Sequence, residues 1–298
     1  MRKILTVDVG GTFIKYAVVT GIRSFKIAAK NKIPTPKINH AEFMNCLADI
    51  FNEHNDAEGI AVAMPGIIDS QRGICLASAA LSFNNGQPIA EELQKMCGVP
   101  VVIENDANCA ALAEIRAGSL VNVKDSIILV FGTMVGGTLI RNREIQRGAH
   151  NCAGEISFTL KNIDAFSSEE NFYSHDISAR AFQRSCAKVL NLPPEDVTAE
   201  IIFDLINDND DDMLDALYKY AHGVAVKILN LQMIFDPERF ALGGAISAQQ
   251  SFIDAVHDKI DELYQDMPAY LPRPDVVACR YRNDANLLGA LYRYLKKV

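Results

Sequence analysis

Residues 4–19 read Ile-Leu-Thr-Val-Asp-Val-Gly-Gly-Thr-Phe-Ile-Lys-Tyr-Ala-Val-Val. Two β-branched apolar runs flank a turn marked by Gly10 and Gly11, which is the pattern of a β-hairpin. Because a strand follows the glycines, this is not a dinucleotide-binding fingerprint, where a helix follows them. Asp8 falls at the end of the first strand. Glycine N–H groups can face an anion, and Thr12 adds a hydroxyl. An acid, two glycines and a threonine suit a magnesium-bound phosphate, with Asp8 toward the metal. The same residues also serve as a plain hairpin turn.

At 298 residues the chain suits one large or two medium domains. Hydrophobic residues are 49% and charged residues 22%, enough for a substantial core. No apolar run reaches membrane-span length, and Met-Arg-Lys leads straight into the first strand, so a signal peptide is not expected. The net charge of −8 argues against nucleic-acid or membrane-surface partners. Cys46, Cys75, Cys97, Cys109, Cys152, Cys186 and Cys279 are scattered, with no Cys-x-x-Cys pair. Reduced thiols in a cytoplasmic protein are the expectation.

Periodicity orders the chain further. A third strand is expected over 24–33 and a helix over 40–54, with Asn39 and Glu42 spaced as a capping box. A strand over 59–64 runs into Pro65-Gly66, and 67–80 reads as loop and short strand. A helix follows Pro88, with Ile89, Leu93 and Met96 on one face and Gly98 closing it. A strand over 99–104 ends in Asn105-Asp106 and an alanine-rich helix to Ala117. A second strand–turn–strand unit spans 126–141 through Gly132-Thr133, so two related halves are one reading, and 138–147 reads as another hairpin around Asn142-Arg143. A strand is expected over 154–160, loop over 161–177, helices over 178–190 and 198–206, and an exposed acidic loop over 208–212. A long helix over 213–235 extends about 35 Å. A strand over 239–242, a helix over 249–264, a strand over 276–281 and a helix over 285–295 complete an α/β order.

Four turns share one placement, each after a strand: Asp8-Val-Gly-Gly-Thr12, Asn105-Asp106, Gly132-Thr133 and Gly243-Gly244. Ligands in α/β sheets gather at strand ends. The run Asp8-Val-Gly-Gly-Thr12-x-x-Lys15, Met64-Pro-Gly66, Glu104-Asn-Asp-Ala-Asn-Cys-Ala-Ala-Leu-Ala-Glu114, Ala153-Gly-Glu155 and Asp236-Pro-Glu-Arg-Phe-Ala-Leu-Gly-Gly244 resembles the ROK sugar kinases. Asn283-Asp-Ala-Asn-Leu-Leu-Gly-Ala290 extends the likeness to the last helix.

The resemblance implies a two-lobed actin-like ATPase fold, a duplicated ribonuclease H-like architecture with an inter-lobe cleft. It implies ATP and Mg²⁺, a sugar substrate phosphorylated at a hydroxyl (usually the 6-hydroxyl), and a homodimer. Asp106 would be the general base; its alternative role is to cap the following helix. Asn105 and Glu155 would hold sugar hydroxyls, with Asn84 and Gly66 in the same pocket. Asp8 would hold Mg²⁺ through water. Gly10, Gly11, Thr12, Gly132 and Thr133 would line the phosphates, and Gly243 and Gly244 the adenosine. Lys15 matches the motif, with an exposed strand residue as the alternative.

Two departures stand out. Ile156-Ser157-Phe158 follows Gly-Glu where family members carry x-Gly-His, and the cysteine-rich zinc loop is missing, so no zinc site is expected. His150 has no partners at metal spacing. The zinc-less members resemble β-glucoside kinases, as does the stretch from 197–203 through 234–237; a hexose or N-acetylhexosamine kinase is the alternative. In the second phosphate turn Met134 and Thr138 stand at glycine positions, which keeps a sugar-binding regulatory protein with weakened kinase activity in view. Family repressors carry an N-terminal DNA-binding extension, whereas this sequence begins at its first strand, so DNA binding is not expected. The expected lobes are 1–115 with 284–298 for sugar and phosphate, and 116–283 for nucleotide and dimerisation.

Overall fold

The computed structural model describes residues 3–20, 26–27, 30–161 and 171–297. They fall into two compact units. The first comprises Met1–Arg116, Gly148–Cys152 and Asp284–Val298; the second comprises Ala117–Arg147 and Ala153–Asn283.

In the first unit β1 (Lys3–Val9) and β2 (Phe13–Thr20) form the expected antiparallel hairpin, with Asp8 opposite Lys15. β3 (Lys26–Ile27) and β4 (Asn31–Pro34) both pair with β2. The strand expected over 24–33 is thus two short pieces, and its residues 24–25 and 28–29 lie outside the described residues. α1 (His40–Asn52) starts at Asn39, whose side chain accepts from Glu42 N at 2.9 Å. There follow β5 (Ile60–Met64), the short hairpin β6 (Ile67–Asp69) and β7 (Ile74–Ala77), α2 (Ile89–Cys97), β8 (Val101–Asn105) and α3 (Asp106–Ala117). Met96, expected to be buried with Ile89 and Leu93, is 47% exposed. Burial along α2 ends at Leu93, and the last turn runs past the core.

The sheet order is β3-β2-β1-β5-β8, with β1 parallel to β5 and β5 parallel to β8. The strand period of two divides it cleanly. Leu5, Val7 and Val9 join the core that holds Phe43, Leu47 and Leu93 of α1 and α2. Ile4 joins Ala61, Ala63 and Val102 on the other face.

The second unit holds β9 (Ser126–Phe131), β10 (Val135–Arg141), β11 (Glu144–Gln146), α4 (Ser174–Ile177), α5 (Ala179–Leu190), α6 (Ala199–Asn207), α7 (Asp211–Phe235), β12 (Arg239–Gly243), α8 (Gln250–Tyr264) and β13 (Val276–Ala278). Its sheet runs β11-β10-β9-β12-β13. Asn142 and Arg143 both have positive φ between Arg141 and Glu144, which makes the two-residue turn that suits a right-twisted hairpin. α5, α6 and α7 start at Ser178, Thr198 and Asp210, whose side chains each accept an N–H three residues on. α9 (Ala285–Lys297) returns to the first unit, where Ala290, Leu291 and Tyr294 cover the face of Ile4 and Ala61.

Strands β2-β1-β5-β8 and β10-β9-β12-β13 repeat one neighbour pattern: antiparallel, parallel, parallel. The two strand–turn–strand segments are therefore equivalent hairpins of two like-built units.

The strand expected over 154–160 is instead a single 3₁₀ turn at Ile156–Phe158. The alternating apolar residues imitate a strand, but Ile156 is buried while Phe158 and Leu160 are 50% and 49% exposed. Ser157 also clamps this segment to β10: its Oγ accepts from Val135 N at 2.9 Å and donates to Val135 O at 2.8 Å. The strand over 276–281 stops at Ala278. The acidic run 208–212 is exposed, but Asp211 and Asp212 already belong to α7 behind the Asp210 cap. Of the loop expected over 161–177, residues 162–170 lie outside the described residues and Ser174–Ile177 is helical. All seven cysteines are free, and Cys152 is exposed. Among the described residues no helix is long and apolar enough to cross a membrane.

Candidate active site

Asp8 shares the inner face of β1 with Ile4 and Thr6, the face that α9 covers. Asn286, in the first turn of α9, donates its Nδ2 to Asp8 Oδ1 at 2.9 Å. Lys15 Nζ lies 3.9 Å from the other carboxylate oxygen, which fixes Lys15 beside Asp8 though its side chain is about half exposed. Burial pushes the Asp8 carboxyl above its ordinary value, against the opposing effects of the Asn286 hydrogen bond and the Lys15 charge. Gly10, Gly11 and Thr12 form the turn beyond it. Gly10 N donates to Phe13 O at 2.9 Å, and Thr35 ties the turn down through Gly10 O and Thr12 O. Gly11 and Thr12 are exposed.

β8 delivers the second group. Asn105 is its last residue and Asp106 is the first residue of α3. Asn105 caps the helix: its Oδ1 accepts from Asn108 N at 3.0 Å, while its Nδ2 donates to Gly66 O at 2.9 Å. Asp106 Oδ1 accepts from the adjacent Ala107 N at 2.8 Å. Gly66 has φ +119°, and a Cβ there would fall 2.3 Å from Ala77 O, so this close approach requires glycine. Asn84 is fully buried. Its Oδ1 lies 2.7 Å from His40 Nδ1, and His40 Nε2 lies 2.6 Å from Glu92. Asn84 Nδ2 is buried without a partner, and such an atom calls for a ligand or water.

Beneath β8, Glu104 is wholly buried. It accepts from Asn105 N and Asn108 Nδ2 and faces Arg293 Nε of α9 at 3.5 Å. This pair braces the β8–α3 junction.

In the second unit Gly132 and Thr133 border a cavity of about 420 Å³, a volume suited to a small ligand. Phe182, Gln183, Phe203 and Ile246 also line it. Gly243 and Gly244 do not; the residues just after them, Ala245 and Ile246, supply that wall. Gly244 has φ +90°, and a Cβ there would meet Phe131 O at 2.1 Å, so the turn needs this glycine. Glu155 stands on the segment that Ser157 clamps to β10. Its carboxylate is half-buried, and burial pushes its pKa up.

Sequence reasoning missed Asn286, Arg293, His40 and Gln183. The motif containing Asn286 was visible, but its partner stands near the opposite end of the chain.

A family model described as the ROK family matches residues 4–297. The chain belongs to the ROK family. The β-glucoside kinase of Listeria monocytogenes is 29% identical over 99% of this chain and 98% of its own. A solved ROK family protein from Streptococcus pneumoniae TIGR4 in complex with sucrose has TM-score 0.85 and 30% identity, covering 99% of this chain and 98% of that one. The ROK hexokinase from Thermus thermophilus has TM-score 0.78 and 26% identity, covering 99% and 98%. The paired hairpin-and-parallel sheets are thus those of the actin-like ATPase fold.

The altered phosphate turn of this ROK chain carries no backbone strain. Neither Met134 nor Thr138 has positive φ. Met134 is 39% exposed and does not line the cavity, and Thr138 is buried within β10. Among the described residues no three His, Cys, Asp or Glu side chains cluster as a metal site.

Proposed function

We propose that this ROK protein is an ATP-dependent sugar kinase acting on a glucose or β-glucoside unit, with the 6-hydroxyl as acceptor. The observation that carries the reading is the β8–α3 junction, where Asn105 caps the helix and Asp106 stands in its first turn, at the strand end where the helix dipole favours a carboxylate. Asp106 accepts the hydroxyl proton as the sugar oxygen bonds to the γ-phosphorus and the bond to the ADP oxygen breaks. Phosphoryl transfer asks mainly for positioning, so an ordinary carboxylate suffices as base.

Asn105, Glu155 and the unpartnered Nδ2 of Asn84 hold sugar hydroxyls, with Gly66 at the pocket wall. Gly10, Gly11, Thr12 and Lys15 serve the phosphates. Gly132 and Thr133 are assigned to phosphate as well, with Gly243 and Gly244 shaping the adenosine wall. The buried Asp8 carboxylate, its charge only partly compensated by Asn286 and Lys15, suits Mg²⁺ held largely through water. The ion would neutralise phosphate charge. In this assignment residues 1–115 with 284–298 form the sugar and phosphate domain, and 116–283 the nucleotide and dimerisation domain. Met233 and Ile234 at the end of α7, 42% and 81% exposed, give homodimer contacts an apolar surface. As a metabolic kinase drawing on the cell's ATP, it is assigned to the cytoplasm.

The disaccharide preference draws on the β-glucoside kinase relative and on the sucrose held by the S. pneumoniae protein. Ser157 is turned inward onto β10, and no imidazole follows Glu155 to contact the sugar. A hexose or N-acetylhexosamine kinase is the second reading, favoured by the T. thermophilus hexokinase.

The test is coupled ATP turnover with glucose, N-acetylglucosamine, N-acetylmannosamine, cellobiose and gentiobiose. Turnover should fall by at least about 100-fold in Asp106→Asn, following the usual size of a general-base effect. A strong preference for free glucose would refute the β-glucoside assignment. Full activity in Asp106→Asn would refute the base.

A further inference from the structure

The cavity beside Gly132 and Thr133 has a polar group whose chemistry is already decided. Gln183 on α5 lines it. Its Nε2 donates to Val197 O at 2.8 Å and to Pro194 O at 3.0 Å. A carboxamide nitrogen has two hydrogens, so both are committed. The orientation is fixed as well, because a flipped amide would aim its oxygen at two carbonyl oxygens. What remains is Oε1, an acceptor only, and it takes no hydrogen bond from any described residue.

Arg180 stands one helical turn earlier on the same face of α5 and lines the same cavity. Its backbone N–H donates to Gly132 O at 3.3 Å, which ties it to the phosphate turn. Its exposed guanidinium has no ion pair or hydrogen bond among the described residues. Arg180 thus marks the phosphate end of the cavity, and Gln183 lies farther along α5. Ile202, Phe203 and Ile246 supply apolar walls of the kind a flat heterocycle occupies.

We propose that Gln183 selects the nucleotide base, its Oε1 accepting a hydrogen bond from the 6-amino group of adenine. The inference rests on the nucleotide reading of this cavity given above and adds the base to it. A 6-oxopurine presents a carbonyl where adenine presents an N–H. Facing Oε1 it gains no bond and is repelled. The amide cannot turn to accommodate it without breaking both bonds to the 194–197 segment. A site whose polar group is left unpaired by the wrong ligand discriminates strongly. For a half-buried Gln183 the expected preference is about 10- to 100-fold.

Calorimetric titration of the full-length protein with ADP, the 6-unsubstituted purine riboside diphosphate and IDP tests this without a mutation. ADP should bind tightest, the 6-unsubstituted analogue more weakly, and IDP weakest. In Gln183→Met the ADP affinity should fall and the ADP-to-IDP ratio should collapse toward one. Equal binding of ADP and IDP by the unmutated protein, or an undiminished ratio in Gln183→Met, overturns the base assignment and leaves the kinase reading standing. Failure of all three diphosphates to bind overturns the nucleotide reading of the cavity, and the base assignment with it.

Discussion

Replacing Lys227 by Met removes an ammonium that the second unit buries in the middle of α7. Lys227 is 4% exposed. Its Nζ donates to Thr159 Oγ1 at 2.6 Å and lies 3.4 Å from the centre of the Tyr173 ring. Burial pushes its pKa from 10.5 down to about 8. At about 1.4 kcal/mol per pH unit, that displacement corresponds to about 3 kcal/mol. Contact with the Tyr173 face returns roughly 0.5–2 kcal/mol to the charged form, which leaves about 1–3 kcal/mol. The sign follows from proton counting. Between pH 8 and 10.5 the unfolded chain holds the proton and the native protein has lost it, so native stability rises with pH. Below that window the native state bears the full burial cost; above it the cost is gone. Melting temperatures of the unmutated protein and Lys227→Met should be measured from pH 7 to 10.5. Other titrating groups are common to both and cancel. The unmutated protein should gain on the variant by about 1–3 kcal/mol, or roughly 2–5 °C for a chain of this size. A constant difference across that range, or a loss by the unmutated protein, would refute the argument that burial dominates at Lys227.

Two further perturbations address the first unit. Asp8→Asn should abolish turnover yet raise thermal stability. The raised carboxyl pKa means the two proteins match at pH below 3.8, and the unmutated one loses ground as pH rises through the native value; melts at pH 3.5 and 7 check this. Arg293→Met removes the guanidinium that faces the wholly buried Glu104 and should cost about 3 kcal/mol in urea denaturation. Adding Glu104→Gln should recover part of that loss.

Local patterns were fully legible in the chain. The β1–β2 hairpin, the Asn39 cap and the Asn142–Arg143 turn each depend on residues within a few positions of one another. Strand and helix periods therefore reveal them directly. The same logic misjudged 154–160, where alternation imitated a strand. The outcome there was set by the Ser157 hydroxyl on Val135, a partner 22 residues away.

The sequence by itself determined most of the elements, the strand-end positions of Asp8, Asp106 and Gly132, and the family motifs. Only the tertiary structure decided which atoms those residues still have to offer. Asn286 reaches Asp8 from 278 residues away, and Arg293 reaches Glu104 because α9 packs on the first sheet. Gln183 keeps a lone acceptor because Pro194 and Val197 take its two hydrogens. Periodicity tells which face of an element is buried. Hydrogen-bond partners and desolvation depend on what the topology packs against that face, and no local pattern encodes it.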